Sequence, residues 1–230
     1  MITVILTKYK RPHLLEDQFI SLRRQTLKPD EILVCDNSLQ NLGVWARFSM
    51  ALNAKSDFIC IIDDDTIPGT KWLENCYNEF QLREGLYGTC GYQFNSNTYY
   101  KDNYNRIGWC QPNEETTQVD YVVHNWFFKK EWLKYYWSEI PDTKYFQCGE
   151  DMNFSYQLQK QGIPTFVPPH PENNKELWGS LEGWKYGVDE VSLYETNPNN
   201  FRENMYEFFG NQIKKGWKLQ YELRSQSIIT

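Results

Sequence analysis

The sequence predicts an α/β fold: a mixed, mainly parallel sheet flanked by helices, in a single domain. Three observations carry this. Short runs rich in β-prone residues, "ITVIL" (2–6), "EILVC" (31–35) and "FICII" (58–62), recur with helical periodicity between them. The links joining them are short, as strand–helix–strand units require. Each run ends in polar residues: Thr7, Asp36 and the triplet Asp63–Asp64–Asp65. In parallel sheets ligands bind beyond the carboxyl ends of strands, so these three ends converge on one site.

The elements follow in order. After the first strand, Leu14, Leu15, Phe19 and Leu22 mark one face of a helix from Pro12 to about Gln25. The second strand is followed by a helix over 42–54, with Trp45, Phe48 and Leu52 at helical spacing. The third strand leads past Pro68 into a helix over roughly 70–82. "LYGTCGY" (86–92) and "VDYVV" (119–123) read as further strands, separated by a Tyr/Asn-rich loop or hairpin over 95–110. The aromatic row "NWFFKKEWLKYYW" (125–137) reads as helix core. A helix over 149–162 stops at Gly162, where glycine relieves the left-handed C-terminal conformation. "IPTFVPPHPE" then gives a short strand and a rigid Pro-rich turn. Beyond about 175 only weak helix signals remain, near 200–215, before a frayed end. No repeat or linker marks a second domain.

Composition narrows the function classes. The 230 residues are 40% hydrophobic and 17% aromatic, enough for a sizeable core, with a net charge of −6. Lys and Arg are scattered, so no basic face for nucleic acid is expected. No apolar run approaches the roughly 20 residues of a membrane-spanning helix, and no secretory leader is legible. Six cysteines without a CxxC pair read as reduced thiols buried as small hydrophobes, which points to a cytoplasmic protein.

The candidate chemistry lies in carboxylates. Asp63–Asp65 place three like charges at the end of a buried strand, which costs stability unless something positive faces them. A divalent cation with an anionic ligand would do so, and hard oxygen donors suit Mg²⁺, Mn²⁺ or Ca²⁺. The competing reading is an acidic turn that caps the next helix. Asp36 is either a turn residue or an acceptor for a base N–H or a ribose hydroxyl. Glu150–Asp151 open a helix, where they stabilise its dipole or project a general base into the cleft. His170, held between prolines, is a loop histidine or a metal ligand; His124 is a structural or hydrogen-bonding residue after a strand.

Taken jointly, "VILTKYKRPHLLEDQFISLRRQTLKPDEILVCDNS", "NLGVWARFSMALNAKSDFICIIDDD" and "GEDMNFSYQLQKQG" resemble the GT-A nucleotide-sugar glycosyltransferases, in particular the family-2-like group. The resemblance runs over roughly residues 2–170 and implies a Rossmann-like catalytic domain over 1–175. Residues 176–230 would be a C-terminal extension packing on the same domain. It implies transfer of a hexose from a nucleotide diphosphate sugar, with UDP-hexose the expected donor, to a hydroxyl on a glycan or glycoprotein acceptor. By the same resemblance Thr7 and Asp36 hold the nucleobase, and Arg11 or Arg47 lies beside base or phosphates. Asp63 meets the ribose, within a nucleotide-sugar site that includes Asp64. Asp65 and His170 hold Mn²⁺ or Mg²⁺, and Asp151 is the base. Glu150, His124 and Trp126 are candidate acceptor or orienting residues. The bulky "NWFF" departs from the small residues many relatives carry near the sugar.

Two rivals stand beside this reading. A sugar-nucleotide pyrophosphorylase should carry a Gly-rich phosphate loop after its first strand, where this chain has "LTKYKRP". A non-enzymatic carbohydrate-binding module needs no carboxylate base.

Overall fold

β1 (Ile2–Lys8) is buried from Ile2 to Thr7, as expected of a strand covered on both faces. In the structure, a computed structural model describing residues 1–99 and 103–227, β1 lies between two parallel neighbours. These are β2 (Glu31–Asp36) and β3 (Phe58–Ile62), reached through α1 (Leu14–Arg24) and α2 (Ala46–Ala51). Next come α3 (Trp72–Leu82), β4 (Leu86–Phe94), β5 (Tyr104–Gly108), β6 (Thr117–Gln118) and β7 (Tyr121–Lys129). The chain continues through α4 (Leu133–Tyr136), α5 (Glu150–Gln159) and β8 (Thr165–Val167). It closes with α6 (Gly183–Tyr186), α7 (Leu193–Thr196), α8 (Phe201–Lys214) and α9 (Gln220–Ser227).

The sheet runs β2-β1-β3-β7-β4-β8-β6, with β5 paired to β4. Among the described residues, β1, β2, β3, β4 and β8 share one direction and β5, β6 and β7 oppose it. This is a mixed, mostly co-directional sheet flanked by helices in one α/β domain. The stretch over 95–110 is a β4–β5 hairpin, except for residues 100–102, which lie outside the described set, as does the expected frayed end at 228–230.

The sequence reading errs at 125–129, which is strand rather than helix. β7 sits between β3 and β4, covered on both faces, so its aromatic residues need no alternation with polar ones. Phe127 stacks on Phe58 (5.4 Å between centroids), while Phe128 meets Phe154 edge-on at 4.8 Å. The helical part of that row is confined to a short turn and α4.

The C-terminal segment packs against the sheet and α5. Phe209 contacts Phe94 (4.5 Å) and Trp217 (5.6 Å), both buried. The Asp120 carboxylate accepts from the backbone N–H of Phe94 and of Gln220, both at 2.6 Å, which fixes the start of α9 against β4.

One buried amide joins α1 to α3. Gln25 Nε2 donates to the Gly69 carbonyl (2.7 Å), and its Oε1 accepts from the Leu73 N–H (3.0 Å) in the first turn of α3. No side chain at Lys71 caps that helix, so Gln25 does. Gln25→Ala leaves the buried Leu73 N–H unpaired and strips the Gly69 carbonyl of one of its two donors, the other being the Trp72 N–H, and is expected to cost roughly 1–3 kcal/mol. Urea unfolding checks this: the midpoint should fall with an unchanged slope. An unmoved midpoint would remove Gln25 from the α3 cap.

Candidate functional site

The carboxyl ends of β1, β2 and β3 open into a cavity of about 420 Å³, within the usual range for small-molecule sites. Its lining includes Thr7, Arg11, Asn37, Arg47, Asp63–Asp65, His124, Glu150 and Asp151.

The turn after β3 is fixed from behind. Gln18 of α1, almost fully buried, donates from Nε2 to the carbonyls of Asp63 (2.6 Å) and Thr66 (2.9 Å). The Thr66 hydroxyl donates to Asp65 Oδ1 at 2.9 Å. These bonds hold three consecutive carboxylates in place despite their repulsion.

Each aspartate faces a different basic group. Asp63 Oδ1 lies 2.7 Å from Arg47 Nη1, without hydrogen-bond geometry. Asp64 Oδ1 accepts from Arg11 Nη1 at 3.0 Å. Asp65 Oδ1 lies 3.5 Å from His124 Nδ1. Burial pushes the Asp63 carboxyl up to about 7, against the pull of Arg47, and burial and Asp65 together raise Asp64. Burial also opposes ionisation of Asp65, but His124 and Arg11 outweigh it and hold this carboxyl down at about 2. Burial works against charging of His124, yet Asp65 and Asp63 raise its pKa.

A β-bulge brings His124 in. Between Gly88↔Trp126 and Cys90↔Val123 the β4–β7 register shifts, so two residues of β7 oppose one of β4. His124 takes φ +70° there, a left-handed conformation uncommon for a residue with a side chain. Its carbonyl still accepts from the Asp63 N–H at 3.0 Å, which ties the bulge to the aspartate turn.

One ligand atom from each of Asp63, Asp65 and His124 lies within 4.8 Å of the others. Bonds of about 2.0–2.6 Å to a hard cation bring ligand atoms about that close. Among the described residues, Asp63 Oδ1 and His124 Nδ1 are buried without hydrogen-bond partners, as ligand atoms for a cation would be. The residues therefore fit a divalent cation.

Asp151 and Glu150 reach the same cavity from the start of α5. Gly149, at φ +84°, makes the turn into that helix; a Cβ there would meet the Phe208 ring at 2.7 Å. Glu150 Oε1 accepts from Arg47 Nη2 at 2.6 Å, so Arg47 bridges Asp63 and Glu150. Asp151 Oδ1 accepts from its neighbour's N–H, Met152, at 2.7 Å, and among the described residues the side chain has no ion-pair partner. Burial raises both carboxyls above the usual range; the Asp151 charge adds to the shift of Glu150, and the Asp63 charge adds to that of Asp151.

Of the residues singled out from the sequence, Thr7, Arg11, Arg47, Asp63, Asp64, Asp65, His124, Glu150 and Asp151 meet here. Three do not. His170 is fully buried between Trp72 and Trp178, and its ring nitrogens face the Pro168 carbonyl (2.8 Å) and Thr89 Oγ1 (3.2 Å). Burial lowers its pKa to about 4, so it is a neutral core imidazole, and the imidazole beside the aspartates is His124. Trp126 is core: its Nε1 donates to the Val122 carbonyl and its face carries Arg47, 4.6 Å above the ring. Asp36 points along the sheet edge to Lys8 (2.8 Å), and the next residue, the buried Asn37, lines the cavity instead.

Sequence reasoning missed Asp189, whose two oxygens accept from Arg11 Nη2 (2.6 Å) and Nε (2.7 Å). This bidentate pair fastens the C-terminal segment across the cavity, and 178 residues of separation leave no local signal for it. It also missed Arg106 and Trp109, which fall in the stretch read only as loop or hairpin. No family model matches the chain, and no curated protein matches it either.

Proposed function

We propose that this chain is a GT-A-type glycosyltransferase that moves a hexose from a nucleotide diphosphate sugar to a hydroxyl acceptor on a glycan or glycoprotein. The observation that carries the reading is one cavity holding both a cation cage and a separate carboxylate. Asp63, Asp65 and His124 make the cage at the end of β3, and Asp151 lies beside it without an ion-pair partner.

Asp63, Asp65 and His124 would hold the cation; carboxylates with one imidazole suit Mn²⁺, with Mg²⁺ the alternative. When bound there, it neutralises charge on the departing diphosphate. Thr7, whose Oγ1 is buried without a partner, and Asn37 receive the nucleobase. Arg11 lies where phosphate oxygens would compete with Asp189. Asp151 accepts the proton of the acceptor hydroxyl as its oxygen bonds to the anomeric carbon, and the bond from that carbon to the diphosphate oxygen breaks with its electron pair. Glu150 keeps Arg47 in place. No helix among the described residues is long and apolar enough to cross a membrane.

UDP is the expected nucleotide, because a short hydroxyl and a short amide suit a small pyrimidine edge. Thermal shift with UDP, GDP and ADP, each with and without Mn²⁺, tests the reading. A ligand at 100 times its Kd stabilises by about 2.7 kcal/mol. UDP with Mn²⁺ should give the largest shift, and UDP in EDTA little. A preference for GDP or ADP overturns the base assignment; a shift indifferent to Mn²⁺ overturns the cage.

A further inference from the structure

We propose that the wall of the cavity opposite Thr7 is a platform for a pyranose ring of the acceptor, and that Trp184 is its stacking surface. The proposal deepens the transferase reading and rests on it for the identification of this ring as acceptor.

The sheet order sets the geometry. From β2 through β1, β3 and β7 to β4 and its partner β5, the cavity passes Asn37, Thr7, the aspartates, His124 and then Arg106. The wall beyond the cation cage is thus the far side from the residues suited to a nucleobase. It is aromatic, with Tyr92, Tyr104, Trp109, Tyr121, Trp184 and Tyr194.

Trp184 is 53% exposed, yet its ring is held. Its centroid lies 4.7 Å from Trp109, and the Arg106 guanidinium sits 5.0 Å over Trp184 and 4.8 Å over Trp109. Trp109 is buried and stacks on His124 with only 2° between the planes, so one chain of planes leads from the cage to the cavity mouth. The preceding Gly183 permits this approach, because a Cβ there would fall 2.2 Å from Trp109 Nε1. A large indole left half in water, but fixed by an arginine and a neighbouring ring, is a rigid surface whose solvation is readily displaced.

The chemistry of the wall selects the ligand. A sugar ring presents polarised C–H groups on one face, which suit the negative face of an indole, and hydroxyls around its edge. Arg106, Ser192 and Glu195 stand around the same cavity as partners for those hydroxyls. A lipid chain would gain nothing from a guanidinium over the rings. Asp151 lines the same cavity as this wall, so a ring stacked here shares the space that the carboxylate faces.

The test uses the full chain in EDTA, without nucleotide, and four probes: the methyl glycosides of glucose, galactose, mannose and N-acetylglucosamine. Saturation-transfer NMR should show contact with ring C–H protons for at least one of them. Trp184→Ala should weaken that binding at least tenfold and Trp184→Phe much less, while UDP–Mn²⁺ affinity stays within about twofold. No transfer to any glycoside, or equal transfer with Trp184→Ala, overturns the platform. Glycoside binding needs neither cation nor nucleotide, so the two readings fail separately. Glycosides bound without UDP binding would sink the donor reading alone, and UDP bound without glycosides the platform alone.

Discussion

Asp65→Ala is expected to abolish turnover while the fold survives, and excess EDTA should do the same to the unaltered protein. Asp65 is the one aspartate of the three whose pKa is lowered, so it offers a full negative charge to a cation at neutral pH. The Thr66 hydroxyl aims its Oδ1. Losing the cation removes several kcal/mol of charge stabilisation from the leaving diphosphate, which is about 10³-fold or more in rate. Apo stability should fall modestly, since His124 and Arg11 favour the Asp65 charge in the folded protein and the substitution removes it. His124→Gln should lower Mn²⁺ affinity in calorimetry, and His170→Gln should disturb only stability because His170 lies in the core. Full turnover in EDTA, or an Asp65→Ala enzyme at the original rate, would refute the cage.

How much of this was legible beforehand follows from the range of the interactions. The first three strands and their polar ends were legible, because β-prone runs and helical spacing are local signals and short strand–helix–strand connections imply parallel strands. The helix that carries Asp151 was legible too, from two acids at its start and Gly162 at its end, whereas the choice of Asp151 over Glu150 came from the family resemblance. The start of β7 was legible in "VDYVV", but its second half over 125–129 was not, because aromatic residues spaced for a helix face also suit a strand buried on both sides. His124 was read as a structural residue after a strand or an acceptor-orienting residue, not as a neighbour of the aspartates. Its role depends on a bulge created by pairing with β4, some 35 residues away in sequence. The Pro-flanked setting of His170 suggested rigidity correctly, but rigidity says nothing about which way an imbidazole points; here it faces Thr89 and a carbonyl. Asp189 and Trp184 had no local signal, because their roles arise only when the C-terminal segment folds back over β1 and β5.

Asp151→Asn is expected to keep donor and cation binding and to lose roughly 10²–10⁴-fold in rate. Adjacent helical residues point about 100° apart, so Glu150 and Asp151 cannot serve the same role. The structure separates them: Glu150 is spent on Arg47 at 2.6 Å, while Asp151 accepts from the Met152 N–H and has no ion-pair partner among the described residues. Burial raises the Asp151 pKa, which makes the carboxylate a stronger base than an exposed one. The rate should therefore rise with pH through an acid limb lying above the ordinary carboxylate range, since only the ionised form takes the proton. Asp151 and Glu150 share that titration, so the limb belongs to the pair rather than to one residue. In Asp151→Asn the limb should vanish with the activity. In Glu150→Gln it should persist, with a smaller loss of rate. Turnover and donor affinity measured for both variants with a true acceptor decide the matter. Near-normal turnover for Asp151→Asn would move the base elsewhere or favour a retaining course; lost donor binding would make Asp151 a binding residue instead.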